Sequence, residues 1–373
     1  MLTPRSILSR RVLAALDASP SRIPVLVGGC GSGRTTLARQ LVDRAGRGST
    51  LLIDVERTAT TPERFLRAIA AASTLPIETS AVGARAAFDA ALDFFGRSRP
   101  GSGDAVTFVL DEFLELRTFE SFPGLRRVLH DFIDCISLSS NKFVLTSRYV
   151  IRTLRLLRDR SARFEVIHVP GLSVEDTHDI IGPGTTPADA ADTEYMARSV
   201  QALADGRPAY VRALVDELAM MRASGGGDPV SALASLMAPD GRLSKLCSFC
   251  YELRLHRARG YGALKAILEI LGEEEGLTLT EISHRLQRTP GSTKDYLSWL
   301  EDVDLVAARQ KRYSFVDPLL RVWVRLHCRA TAPSEDDLAR EVHRYALPRL
   351  PQQEPALVLA AAGGGSGSII EID

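Results

Sequence analysis

The sequence has almost no lysine. Only Lys142, Lys245, Lys265, Lys294 and Lys311 occur among 46 basic residues, so the cationic chemistry of this chain is arginine chemistry. It has no excess charge of either sign: 46 acidic residues balance the basic ones, which removes bulk attraction to a polyanion as an argument for DNA or membrane binding. It lacks any apolar run approaching the roughly 18 residues that span a bilayer, so no membrane is expected as a partner. No signal-peptide pattern is expected at the amino end either. The cysteines at 30, 135, 247, 250 and 328 are scattered and odd in number, which argues against a disulfide scaffold and suits a reducing, cytoplasmic setting. Cys247 and Cys250 have zinc or redox spacing, but a structural zinc site wants two such pairs and no second pair exists. They read as buried thiols in an apolar helix. The seven histidines show no paired spacing and are assigned no chemistry.

What is present is ordinary globular composition, 45% hydrophobic and 25% charged, over 373 residues, enough for two or three domains. The most informative stretch is Val25-Leu26-Val27-Gly28-Gly29-Cys30-Gly31-Ser32-Gly33-Arg34-Thr35-Thr36. An apolar run reads as a buried strand. Glycines at 28, 29, 31 and 33 allow a tight turn whose N–H groups point inward, and Thr35–Val42 reads as a helix. This is the phosphate-binding loop pattern G-x-x-x-x-G-K-[ST], with Arg34 in place of lysine. Bare backbone donors and a helix N-terminus suit a polyphosphate, Thr35 supplies a hydroxyl for Mg²⁺, and Arg34 keeps the charge as a planar fork. The residues expected at the nucleotide are Gly28, Gly29, Cys30, Gly31, Ser32, Gly33, Arg34, Thr35 and Thr36.

Around this loop, apolar runs and amphipathic segments alternate. Arg5–Leu16 reads as a helix, Thr50–Val55 as a strand, and Pro62–Ala72 and part of Pro76–Phe95 as helix. Arg97–Asp104 reads as a loop. Ala105–Leu110 is a continuous apolar strand ending in Asp111-Glu112. Burial of the strand carries both acids to the carboxyl edge of the sheet. Asp111 is then placed for the Mg²⁺ shell and Glu112 for orienting and deprotonating a water. Phe122–Leu138 reads as a helix. Lys142–Leu145 is a strand ending in Thr146-Ser147-Arg148, and Arg148 would face the same crevice and sense the γ-phosphate. Val150–Leu157 reads as a helix and Phe164–His168 as the last core strand. The alternation implies a mostly parallel sheet without giving its strand order.

Beyond Pro170 the pattern is helical: a capped start at Ser173, then Thr193–Ala204, a break at Gly206-Arg207-Pro208, Ala209–Met221, a link at Ala223–Asp228, Ser231–Met237 and Leu243–His256. Tyr261–Leu271, Leu279–Leu286 and Ser292–Leu300, then strands Val303–Ala307 and Tyr313–Val316, read as a winged helix-turn-helix. Its presumed recognition stretch carries Lys294 against Asp295, Glu301, Asp302 and Asp304, which opposes duplex binding; the positive charge is in the wing, at Arg309, Lys311 and Arg312. Pro318–His327 and Glu335–Leu347 close the chain. The tail ends in Ile369-Ile370-Glu371-Ile372-Asp373, the start of a further domain or a leftover of engineering.

The order phosphate loop, FVLDE, LTSR, HVPGLS, GRP and YSFVDPLLRVWVRL resembles the STAND class of signalling P-loop ATPases, in particular the archaeal-type ATPases, over about residues 5–330. The resemblance implies an α/β fold: a P-loop NTPase with a parallel sheet of order 5-1-4-3-2 flanked by helices. An all-helical lid and a winged helix-turn-helix domain would follow. It implies ATP/ADP and Mg²⁺ as ligands, with Thr35 and Asp111 on the metal side, and Glu112, Arg148 and Arg34 as catalytic groups. Pro208 would match the Gly-x-Pro element that touches nucleotide. It implies a switch that oligomerises and, in some members, carries a C-terminal effector. The expected divisions are 1–170 for the ATPase core, 171–227 for the lid, 228–258 for a connector, 259–330 for the winged helix, 331–359 for a helical extension and 360–373 for the tail. Two other readings compete. One is a DNA-binding winged-helix regulator with a catalytically dead P-loop scaffold. The other is a ring motor on nucleic acid, taking Arg158 or Arg160 from a neighbouring copy.

Overall fold

The structure is a computed structural model that describes residues 4–45, 50–99, 105–160, 162–182, 187–258, 260–329 and 331–351. Its first half alternates strands and helices. It runs through α1 (Pro4–Asp17), β1 (Ile23–Val27), α2 (Arg34–Ala45), β2 (Thr50–Asp54), the single turn α3 (Val55–Thr58), α4 (Pro62–Ala72) and α5 (Ala84–Arg97). β3 (Thr107–Asp111), α6 (Val128–Leu138), β4 (Lys142–Ser147), α7 (Val150–Leu157) and β5 (Phe164–His168) complete it. All five strands are parallel, in the order β2-β3-β4-β1-β5, which is the order the resemblance implies.

The strands are apolar on both faces because both faces are covered. Leu26, Val109, Val144 and Ile167 pack against Leu8 and Val12 of α1 and Leu37 and Leu41 of α2. The alternate residues, among them Val25, Ile53, Phe108 and Leu145, join the core under α4–α6. Phenylalanine dominates that side. Phe95 is 1% exposed, and its ring centroid lies 5.2 Å from that of Phe108 and 6.0 Å from that of Phe132.

The second half is helical with one small sheet. α8 (Val174–Ile181), α9 (Pro187–Leu203), α10 (Pro208–Ala223), α11 (Pro229–Met237) and α12 (Arg242–Arg257) come first. Then follow α13 (Tyr261–Glu273), β6 (Leu277–Thr278), α14 (Leu279–Leu286), α15 (Pro290–Asp302), β7 (Val306–Arg309), β8 (Arg312–Phe315), α16 (Pro318–His327) and α17 (Glu335–Ala346). Ser173 caps α8 in a reciprocal box with Asp176, as its sequence predicts. The core under α4–α6 continues without interruption through Tyr210, Leu214 and Leu233 to Leu268, Leu320 and Val342, so apolar packing joins the two halves. Among the described residues no helix is long and apolar enough to cross a membrane.

Several boundaries differ from the sequence expectation. The helix expected over Phe122–Leu138 begins only at Val128, because the chain turns at Pro123-Gly124, with Gly124 at φ 79°. The preceding Phe113–Ser121 is a 3₁₀ helix that pattern reading did not single out. In Pro76–Phe95 helix starts at Ala84, after Gly83 at φ 93°. The strand expected at Val303–Ala307 starts at Val306, because Asp304 has φ 52°. β6 was not anticipated; it makes a three-stranded antiparallel sheet of order β6-β8-β7. The tail at 360–373, and 100–104 of the expected loop, lie outside the described residues.

Truncating Phe95 to alanine should cost about 3–5 kcal/mol, by lost transfer energy and a cavity among rigid rings. Urea unfolding measures it, and a loss below about 1 kcal/mol would show that this cluster repacks freely.

Candidate active site

β1 delivers the chain to Gly28, and α2 begins six residues later at Arg34. The turn between them needs glycine: Gly31 and Gly33 have φ of 75° and 83°, where side chains are strained. It is also closely covered. A Cβ at Gly29 would stand 2.9 Å from Arg207 Nη1, and one at Gly31 would stand 3.1 Å from the Ala209 side chain. The N–H groups of the first turn of α2 have no intrahelical acceptor and carry the positive end of the helix dipole.

Parallel register brings the acids to this loop. Asp54 lies opposite Asp111, and Val27 lies opposite Ser147, so the carboxyl ends of β1, β3 and β4 share one edge. Thr35 Oγ1 donates to Asp111 Oδ2 at 2.8 Å, and Thr146 Oγ1 donates to Asp111 Oδ1. The hydroxyl and the carboxylate expected on the metal side are therefore adjacent.

Glu112 is buried and has φ 58°, a left-handed backbone that costs a non-glycine residue about 1–3 kcal/mol. Its surroundings fix it there. Its N–H donates to Thr146 Oγ1 at 3.0 Å. Arg34 Nη2 donates to Oε1 at 2.6 Å, the Arg148 N–H donates to Oε2 at 3.0 Å, and Arg148 Nε lies 3.2 Å from the same oxygen. Burial alone would push this carboxyl up, but the guanidiniums of Arg34 and Arg148 outweigh it and hold Glu112 below its ordinary range. Burial likewise disfavours the charge on Arg148, and Glu112 and Glu56 overcome it.

Arg34 does more than a lysine could at this position. Its Nη1 donates to Gly28 O, to Gly29 O at 2.6 Å and to Ser32 Oγ at 2.9 Å, while Nη2 holds Glu112. One planar fork thus ties the loop to the acid at the end of β3.

The second half reaches the same place. Pro208 opens α10, and the Ala209 N–H donates to Gly31 O at 3.2 Å. Arg207 Nη1 donates to Cys30 O at 3.2 Å and lies 3.2 Å from Asp317 Oδ2. Asp317 caps α16 and accepts from Tyr210 Oη at 2.7 Å. Arg254, 2% exposed, donates to Asp304 O at 2.8 Å. The Asp304 carboxylate accepts from the N–H groups of Val150 and of Ile151, the latter at 3.3 Å, which fixes it at the N-terminus of α7 beside Arg148. Burial pushes Asp304 up to about 6.

Every residue expected at the site from Gly28 to Thr36, with Asp111, Glu112, Arg148 and Pro208, lies at this one edge. Glu56, Arg207, Arg254, Asp304 and Asp317 were missed. Glu56 lies two residues beyond the strand-end Asp54, with Val55 between, so it does not repeat the Asp111-Glu112 pair, and like the others it depends on long-range pairing. Arg160, one candidate for reaching a neighbouring copy, is held 2.5 Å from Asp134 of its own chain. Cys247 and Cys250 are buried, and among the described residues no group of three or more His, Cys, Asp or Glu could hold a metal by itself.

No protein-family model and no curated protein matches the chain. Among solved structures it is similar to a Walker-type ATPase of Pyrococcus abyssi, with TM-score 0.63 and 16% identity over 87% of this chain and 96% of that one. The likeness is weaker to the Aeropyrum pernix Orc1 protein solved in complex with DNA, with TM-score 0.46 and 17% identity over 92% of this chain and 93% of that one. It is also weaker to the Thermotoga maritima RuvB Holliday junction branch migration motor, with TM-score 0.43 and 15% identity over 84% and 92%. The first of these carries the fold assignment: a parallel five-stranded sheet flanked by helices, matching a P-loop NTPase.

The raised Asp304 sets a pH dependence. Its stabilising contribution is complete below the unfolded value near about 4 and is lost as pH rises through about 6. An Asp304→Asn variant keeps an acceptor at the cap and cannot ionise. Relative to wild type it should gain about 1 kcal/mol between pH 5 and 7.5 in urea unfolding; a constant difference would contradict this.

Proposed function

We propose that the chain is a cytoplasmic, ATP-binding, slowly hydrolysing switch of the STAND type, whose nucleotide state controls assembly or an attached effector in regulation or defence. The observation that carries this reading is the convergence of the glycine loop, the Thr35–Asp111 pair and the Arg34–Glu112–Arg148 network at one sheet edge. The loop N–H groups and the start of α2 would bind the phosphates. Mg²⁺ binds with few protein oxygens when phosphates supply others, so the Thr35 hydroxyl and the Asp111 carboxylate suffice to hold it. When bound, it neutralises charge on the phosphates.

Glu112 is the acid that would orient and deprotonate the attacking water, and in this arrangement it is engaged by both arginines. Arg34 must leave Glu112 for that work. A phosphate chain competing for the Arg34 guanidinium supplies the reason for it to leave. Arg148 would then report that change to α7 and, through Asp304 and Arg254, to the second half. In this reading α8–α11 form the lid and 259–330 the winged helix.

A second reading is a DNA-binding regulator on a dead P-loop scaffold. The exposed Arg309, Lys311 and Arg312 at the β7–β8 turn favour it. The C-terminal end of α15 opposes it, because Asp302 is 2.6 Å from Arg155 of α7 and is taken up within the chain. An internal clamp fits that engagement better.

Turnover and equilibrium binding test the proposal. Wild type should bind ATP with Mg²⁺. Glu112→Gln should keep binding and lower turnover by about 10²-fold or more, and Arg34→Ala should weaken binding. Binding of duplex DNA that falls steeply with salt, with no nucleotide bound or turned over, would replace this reading by the second.

A further inference from the structure

Four guanidiniums are buried around the glycine loop, and three of them face a carboxylate. Arg34 and Arg148 lie 2.6 and 3.2 Å from Glu112, and Arg207 lies 3.2 Å from Asp317. Arg254 is the exception. It belongs to α12, is 2% exposed, and among the described residues has no carboxylate within ion-pair distance. Asp304 offers it only the main-chain carbonyl, at 2.8 Å, because the Asp304 carboxylate is taken by the N–H groups of Val150 and Ile151. Its other partner is the Cys30 sulfur, a weak acceptor, 3.4 Å from Nη2. Its Nε is buried with no acceptor among the described residues. An arginine keeps its proton in a protein, so the charge stays and is not offset by a neighbouring acid.

This cation is aimed at the loop. Cys30 is the residue it reaches, and Arg207 covers the preceding one, since a Cβ at Gly29 would stand 2.9 Å from Arg207 Nη1. The second half thus meets the loop with two guanidiniums at successive residues. Arg207 brings its own counter-ion in Asp317, and Arg254 brings none.

We infer that Arg254 is an anion-binding residue of the glycine loop, and that its counter-charge is the polyphosphate held there, supplied by the ligand and not by the chain. The loop N–H groups and the start of α2 bind such an anion from the first half. Arg254 adds charge-assisted hydrogen bonds from the second, for which it has N–H donors left beyond those given to Asp304 and Cys30. A ligand held this way ties α12 to the loop. It therefore binds the closed arrangement more tightly than the parted one, which is the differential contact that any ligand-driven change between the two requires.

That the anion is a nucleotide's polyphosphate rests on the function proposed above; that Arg254 answers an anion does not. The test measures binding of ATP with Mg²⁺ and of inorganic tripolyphosphate to the full chain by calorimetry, for wild type, Arg254→Met and Arg254→Lys, beside urea unfolding of each without ligand. Methionine replaces the apolar stem and omits the charge. Without ligand, Arg254→Met should unfold at a urea concentration equal to or above that of wild type, because a buried charge with no acid beside it has been removed. Its affinity for both ligands should fall at least about tenfold. Arg254→Lys keeps the charge and loses the fork; its affinity should fall at least about threefold, and it decides the matter if Arg254→Met does not fold. A structural tie predicts the opposite pattern: a less stable free chain whose folded molecules bind as wild type does. Affinity within about twofold of wild type, in Arg254→Met or in Arg254→Lys, overturns the inference and leaves the nucleotide reading standing. Wild type that binds tripolyphosphate but not ATP, with the same loss in Arg254→Met, upholds Arg254 as an anion residue and removes the nucleotide reading. Wild type that binds neither overturns both.

Discussion

One buried negative charge, on Glu112, lies between two buried guanidiniums. Isolated in that setting, any of the three charges would cost several kcal/mol of lost hydration. Together they are stable, and the geometry that satisfies them is restrictive. Arg34 comes from the start of α2, Glu112 follows β3 and Arg148 follows β4, so one ion network fixes how three strand ends meet. It also holds Glu112 in a backbone conformation that a solitary glutamate would avoid. The departure of Arg34 from the usual lysine has its physical account here. An ammonium has three donors on one nitrogen, whereas the two terminal nitrogens of the Arg34 fork reach two loop carbonyls, a serine hydroxyl and a carboxylate.

Much of this arrangement was legible beforehand because it is local. The glycine loop, the apolar run into Asp111-Glu112 and the run into Thr146-Ser147-Arg148 each announce a strand end with chemistry on it. Parallel pairing then has only to bring those ends level. The strand order was not in the periodicities and came from the resemblance alone. What escaped reading is what depends on pairs far apart in sequence: Arg207 with Asp317, Arg254 with Asp304, Arg148 with Glu56. Local exceptions escaped for a different reason. Phe113–Ser121 has helical apolar spacing but follows a left-handed residue and is stopped by Pro123-Gly124. β6 is 2 residues long, too short to show an alternation.

The arginine richness of the chain has a structural counterpart. The residues that stitch the second half to the loop are buried guanidiniums, each with more than one partner on the protein side. Arg207 spans Cys30, Asp317 and the Val316 carbonyl; Arg254 spans Cys30 and Asp304. Such contacts tolerate little drift, because a half-satisfied buried charge is worse than none. The interface therefore favours two arrangements over a continuum: closed with these contacts made, or parted with water at each.

That preference for two arrangements bears on how strongly anything held by the loop will seem to bind. If entry requires the halves to part, the measured dissociation constant is the intrinsic one divided by the fraction of molecules already parted. Weak association measured on the intact chain would then describe the stitching more than the cradle. Loosening one stitch, far from the glycines, would make the cradle look stronger without altering a single atom that touches its ligand.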